Sequence, residues 1–219
     1  EPNRFGLNPQ LQSSLEWWIA NLRRAPDRSV FLPSHCSHTV VTYSDGEGAD
    51  AGVGVAAWCP SLLGNKPVAG FFEVPCEVRK LWSRQHNHAV QSTTDTMEFR
   101  DILQIEAVGP LVLLSTWPQL FHKALWIHFI DNNSALGALV NGSASVNEHD
   151  VIIGHTWARI AALGTYAWFD RVDTDSNPVD GLSRKNFQGF DNWQYVSLPV
   201  EVLTDLRAAR ASEKYNHPC

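Results

Sequence analysis

The sequence predicts an α/β fold in which helices cover a layered sheet of mixed strand direction. Residues 40–58 and 67–75 hold three β-rich runs separated by short turns, the pattern of an antiparallel meander. Residues 124–131, ALWIHFID, form a nearly continuous apolar run of strand length, as expected of a central strand covered on both faces. Runs at helical spacing alternate with the later strands, giving the order βββαβαβα.

The elements follow in order. Leu11, Leu15, Trp18, Ile19 and Leu22 recur at helical spacing, and Pro26 ends that pattern. Residues 31–39 read as a linker. Its His35-Cys36-Ser37-His38 run lacks the second ligand pair that a zinc site needs. Val40, Val41 and Tyr43 begin a strand that ends on Asp45. Gly46, Gly48, Asp50 and Gly52 make the turn, and residues 53–58 the return strand. After a turn at residues 63–65 the third strand spans 67–75. Residues 77–100 are polar and irregular and read as a loop or insertion.

A helix starting at Thr94 or Thr96 follows. Ile102, Ile105, Val108, Leu111, Val112 and Leu113 are its apolar positions, with a kink expected at Gly109-Pro110. After the central strand come a short helix at 134–140, a longer one at 147–163 stopped by Gly164, and a last strand at 165–172. Residues 173–177 are a loop, and Pro178 opens a short helix carrying Asp180. An irregular aromatic segment starts at Phe187, and a helix spans 200–212.

The chain has 219 residues, 44% of them hydrophobic, which supports a sizeable core. No apolar run reaches the roughly 20 residues of a membrane span, and the polar stretch 1–10 carries no leader pattern. The four cysteines show no disulfide framework, so reduced thiols and an intracellular compartment are expected. A formal charge of −6 argues against a broad basic surface for nucleic acid. It leaves room for a carboxylate site whose bound cations reverse the local sign.

Such a site is what the order of elements suggests. Asp45 and Asp131 each close a strand, Glu106 lies in the apolar helix between them, and Asp180 begins the last short helix. Singly, each acid reads as a cap or a surface residue. Brought together, four carboxylates repel one another unless cations neutralise them. Carboxylate oxygens suit Mg²⁺ or Mn²⁺, and two such ions about 4 Å apart activate water and stabilise the leaving oxygen of a phosphodiester.

Four segments carry a family resemblance: YSDGEG with AGVGVAAW, QIEAVGPLVLL, WIHFIDNNSALGALVNG and RVDTDSNPVDGLSR. In this order they resemble the ribonuclease H domain of reverse-transcriptase-bearing retroelement polyproteins. The last is similar to an N-P-A-D-x-x-S-R ending, and LEWWIANL resembles the connecting segment upstream of such domains. The likeness covers residues 11–184. It implies a ribonuclease H-like three-layer fold with a mixed five-stranded sheet and helices on both faces. The implied organisation is a connection-like helix and linker at 1–38, a ribonuclease H-like domain at 39–186, and a C-terminal extension with a helix at 187–219.

The implied activity is hydrolysis of the RNA strand of an RNA–DNA hybrid by two Mg²⁺ ions, with Mn²⁺ as a substitute. The family's four acids fall on Asp45, Glu106, Asp131 and Asp180. Asp45 would bridge both ions, Glu106 and Asp131 would hold the one near the leaving group, and Asp180 the one that activates water. The Gly46 and Glu47 amides would contact substrate, and Asn132, Asn133 and Ser134 the strand near the cut. The chain departs from the pattern in three places. The 173–177 loop lacks the His of cellular ribonucleases H, residues 141–150 hold no Lys or Arg where some members carry a basic protrusion, and residues 79–100 are longer than expected. Weak hybrid affinity follows. The alternative function is a domesticated copy that serves as a structural or RNA-binding subunit beside other protein subunits of a larger assembly.

Overall fold

The computed structural model describes residues 12, 15, 16, 19, 35–86, 102–145 and 147–204. The chain divides into two compact units, Glu1–Leu32 and Pro33–Cys219. In the first, the described residues are helical, and Gln12 Nε2 donates to Glu16 Oε1 at 3.1 Å, one turn away. Leu11, Trp18 and Leu22 lie outside the described residues.

The second unit is an α/β structure built on one mixed sheet. Its first strand, β1 (Thr39–Glu47), pairs antiparallel with β2 (Gly52–Trp58), which pairs antiparallel with β3 (Val68–Glu73). On its other side β1 runs parallel to β4 (Leu125–Ile130), and β4 runs parallel to β5 (Tyr166–Arg171). A further short strand, β6 (Trp193–Tyr195), pairs parallel with β3, giving the order β5-β4-β1-β2-β3-β6. Among the described residues the sheet thus has six strands rather than the expected five. Three residues are too few to show a two-residue alternation, so the aromatic segment after Phe187 did not read as a strand.

Helices α1 (Pro60–Leu63), α2 (Cys76–His86), α3 (Ile102–Thr116), α4 (Pro118–Phe121), α5 (Asn133–Asn141), α6 (Asn147–Leu163), α7 (Asp180–Ser183) and α8 (Val200–Thr204) complete the unit, with a 3₁₀ turn at Thr174–Ser176. The start of the expected loop, residues 77–86, is helical: Val78 and Trp82, one turn apart, are buried in the main core. Residues 87–101 and 205–212 lie outside the described residues, as do the helix starts expected at Thr94 and Thr96.

α3 is buried without interruption from Gln104 to Leu114, because it is apolar on every side and is sandwiched against the sheet. Pro110 lies inside it, and the helix continues through the expected kink. Gly109 explains the close fit: a Cβ there would stand 2.3 Å from Ser44 Cβ. The main core joins Val40, Val53 and Val55 of the sheet to Leu111 of α3, Ile153 of α6 and Leu203 of α8. A smaller core on the other side joins Ala56, Ala69, Val179 and Leu182, rimmed by Tyr43, Trp58, Phe187, Phe190 and Trp193. Phe187 and Trp193 stack at 3.6 Å.

Candidate metal centre

β1 and β4 are unequal in length, and this difference builds the site. Their parallel pairing ends at Tyr43 opposite Phe129, yet β1 continues to Glu47 against β2. Asp45 therefore sits inside β1, opposite Gly54, and does not end the strand as the sequence suggested. Extending the β1–β4 register by two residues places Asp131 beside Asp45, where the chain leaves β4. Both carboxylates emerge at one sheet rim. α3 crosses the same rim and adds Glu106. Ligand oxygens of Asp45, Glu106 and Asp131 all lie within 4.8 Å of one another.

Neighbouring groups fix each acid. The Gly46 amide donates to Glu106 Oε2 at 3.1 Å, and the Asn132 side chain adds a second hydrogen bond to that carboxylate. Ser183 Oγ donates to Asp45 Oδ2. Asp131 Oδ1 is buried and has no hydrogen-bond partner among the described residues. Such an orphaned oxygen beside two buried acids fits a ligand position for a cation.

Burial and mutual repulsion dominate the electrostatics. Desolvation pushes Glu106 up to about 9, with Asp45 and Asp131 adding to the rise and the Gly46 and Asn132 hydrogen bonds opposing it. Asp45, 4% exposed, is also raised, first by burial, while the Ser183 hydrogen bond works the other way and Asp131 and Asp180 add repulsion. In the absence of a cation Glu106 therefore retains its proton at neutral pH. An all-carboxylate donor set suits a hard divalent ion.

The fourth acid stands apart. Asp180 opens α7 and acts on Asp45 through space, but it is not among the three converged carboxylates. Its Oδ1 accepts from Arg184 Nη2 at 3.1 Å. The five expected substrate contacts are placed as follows. The Gly46 amide is already engaged by Glu106. Glu47 closes the β1–β2 turn, its carboxylate accepting from the Ala49 and Asp50 amides; burial opposes its ionisation, but these two donors hold it below the usual carboxylate range. Asn132 caps α5, with Oδ1 accepting from the Ser134 and Ala135 amides. Asn133 and Ser134 are exposed at the start of that helix.

Several groups to which the sequence assigned no role support the site, among them Asn177 and Ser183 of the motif-like ending. Ser183 is completely buried against Asp45. Asn177 Nδ2 donates to the Ser44 carbonyl at 3.0 Å and so ties the approach to α7 onto β1. Arg79 donates to the carbonyls of Gly48 and Ala49, at 2.7 and 3.2 Å, and clamps the turn after Asp45. His128 bridges Thr42 and Ser44, at 2.8 and 3.1 Å, and burial pushes it down to about 3. A readable signal existed for this last group. His128 interrupts an apolar run, and Thr42 and Ser44 alternate on β1 at a two-residue spacing.

No protein-family model matches the chain, and no curated protein matches it. Among the described residues, no helix is long and apolar enough to cross a membrane.

Proposed function

We propose that this chain is a ribonuclease H-like hydrolase of retroelement descent that cuts the RNA strand of an RNA–DNA hybrid. One observation carries the reading: Asp45, Glu106 and Asp131, far apart in sequence, converge within 4.8 Å at the end of a parallel strand pair. The mixed sheet supports it, as does the layering, with α3 and α6 against one core and α7 against the other.

Asp45, Glu106 and Asp131 would hold one divalent ion, and Asp180 together with Asp45 a second. Bound ions of this kind supply Lewis-acid stabilisation of a leaving oxygen and lower the pKa of a coordinated water. The chain's own residues do the positioning. Gly46 and Asn132 orient Glu106, and Ser183 orients Asp45. Asn133 and Ser134 are exposed beside the rim and are available to a sugar–phosphate backbone. Recognition of the RNA strand would rest on its 2′-hydroxyls and on groove shape.

A second reading, a non-catalytic subunit of a larger assembly, is favoured by Asp180 standing outside the cluster on Arg184. Cleavage of a labelled hybrid in Mg²⁺ or Mn²⁺, by wild type and Asp131→Asn, separates the two. Product from wild type alone supports the nuclease. No product from pure wild-type protein at any metal concentration sinks it.

A further inference from the structure

Arg184 is the residue that follows α7, and its guanidinium reaches back one turn to the acid that opens the helix. Nη2 and Nε lie 3.1 and 3.4 Å from the same oxygen, Asp180 Oδ1. Both side chains are partly open to solvent, 59% for Arg184 and 37% for Asp180. The next cation along the chain points elsewhere: Lys185 Nζ pairs with Glu73 at 3.2 Å. Arg184 also acts through space on Asp45 and Glu47, so its charge is felt at the cluster itself.

Resting on the metal-dependent reading above, we infer that Arg184 is a resident counter-ion that occupies Asp180 and controls whether a second divalent ion binds. The two ion positions are then unequal. The first needs only Asp45, Glu106 and Asp131, which already converge. The second must take Asp180 from Arg184, and it binds more weakly by the strength of that ion pair. An exposed pair of this kind is worth a few tenths to one kcal/mol, or about two- to fivefold in affinity. Its partial exposure makes the exchange easy, since Arg184 can turn to water without leaving a buried charge unpaired.

The test is a calorimetric titration of Mn²⁺ into the full chain, for wild type, Arg184→Ala, Lys185→Ala and the Arg184→Ala/Asp180→Asn double variant. Thermal unfolding checks that each is folded. Arg184→Ala should tighten the second binding event about two- to fivefold and change the first by less than about twofold. Lys185→Ala removes the same charge one residue away and should leave the second event unchanged, because exposed charges at longer range are screened. In the double variant the gain should vanish. Equal effects of Arg184→Ala and Lys185→Ala, equal tightening of both events, or no second event in either wild type or Arg184→Ala overturns the inference while leaving the first metal site standing. Wild type that binds no Mn²⁺ overturns both the inference and the reading beneath it.

Discussion

Ser183 Oγ donates to Asp45 Oδ2 at 2.5 Å, which joins the last residue of α7 to an acid two residues from the end of β1. The same hydroxyl lies 2.8 Å from the Asp180 carbonyl oxygen, so helix geometry and Asp45 geometry are set together. The contact depends on how closely α7 lies on β2. A Cβ at Gly54 would stand 2.6 Å from the Ser183 nitrogen. Two missing side chains on β2, at Gly52 and Gly54, thus make room for the group that orients Asp45 on the neighbouring strand.

Ser183→Ala should therefore cost both stability and metal affinity. Removing a buried donor from a carboxylate costs about 1–3 kcal/mol. Urea unfolding in EDTA at pH 7 should show a lower midpoint with an unchanged slope. Mn²⁺ should then bind more weakly than in wild type. A variant with wild-type midpoint and wild-type Mn²⁺ affinity would show that the hydroxyl does not orient Asp45.

Glu106 sets the pH dependence of the metal-free protein. It ionises near 4.5 in the unfolded chain and near 9 in the folded one. Between these values the folded state holds a proton that the unfolded state lacks, so stability falls as pH rises through this window. His128 acts in a different range. Its folded pKa, about 3, lies below the unfolded 6.5, so it removes stability only as pH drops below 6.5. From pH 7 to 9 the slope belongs to the acid cluster. Melting temperature in EDTA should decline over that range, and Glu106→Gln should flatten much of the decline. Mn²⁺ binding at pH 7 should also release protons, visible as a dependence of binding enthalpy on the buffer's ionisation enthalpy. A flat wild-type profile with no proton release would mean that Glu106 is ionised in the free protein.

The legible parts of the fold were those with a strong hydrophobic signal. The apolar run before Asp131 and the β-branched runs around Asp45 placed two acids near one rim, and Glu106 followed from its helix. What stayed hidden was decided by tertiary contact. β1 runs past Asp45 because β2 still offers it a partner after β4 has ended. Residues 77–86 fold as a helix anchored on the buried apolar side chains Val78 and Trp82, which do not stand out in a polar stretch. Ser183 stands at the serine of the motif-like ending, but nothing local says that its hydroxyl meets a strand 138 residues away. Asp180 matched a motif, yet Arg184, four residues on, holds its carboxylate, and a motif does not report how such a competition resolves.

Gly109→Ala tests the seat of α3 on β1. The added methyl would meet Ser44 Cβ at 2.3 Å and Ser44 Oγ at 2.5 Å, and both atoms are enclosed beside His128. Neither the strand nor the buried helix can give way cheaply, so a loss of about 1–3 kcal/mol is expected. The helix carries Glu106 three residues earlier, so any shift also loosens its bond to Gly46. Urea unfolding measures the first effect and Mn²⁺ affinity the second. If stability is unchanged, the helix and strand are not in the contact described.

Asp131→Asn should separate stability from function. In the metal-free cluster, Asp131 adds repulsion to both Asp45 and Glu106, and its Oδ1 is buried without a partner among the described residues. An amide of the same shape removes that repulsion and brings a donor toward its acidic neighbours. Metal-free Asp131→Asn should therefore unfold at a higher temperature than wild type, by a few degrees for a gain of about 1 kcal/mol. The same substitution deletes a charged ligand from the set that would hold the first ion. Mn²⁺ should raise its melting temperature less than that of wild type, and the cleavage proposed above should fall with it. Such opposed changes mark a cluster whose acids are kept for binding a cation at a cost in stability. An Asp131→Asn protein that is less stable than wild type in EDTA, yet gains as much from Mn²⁺, would instead assign Asp131 a structural role.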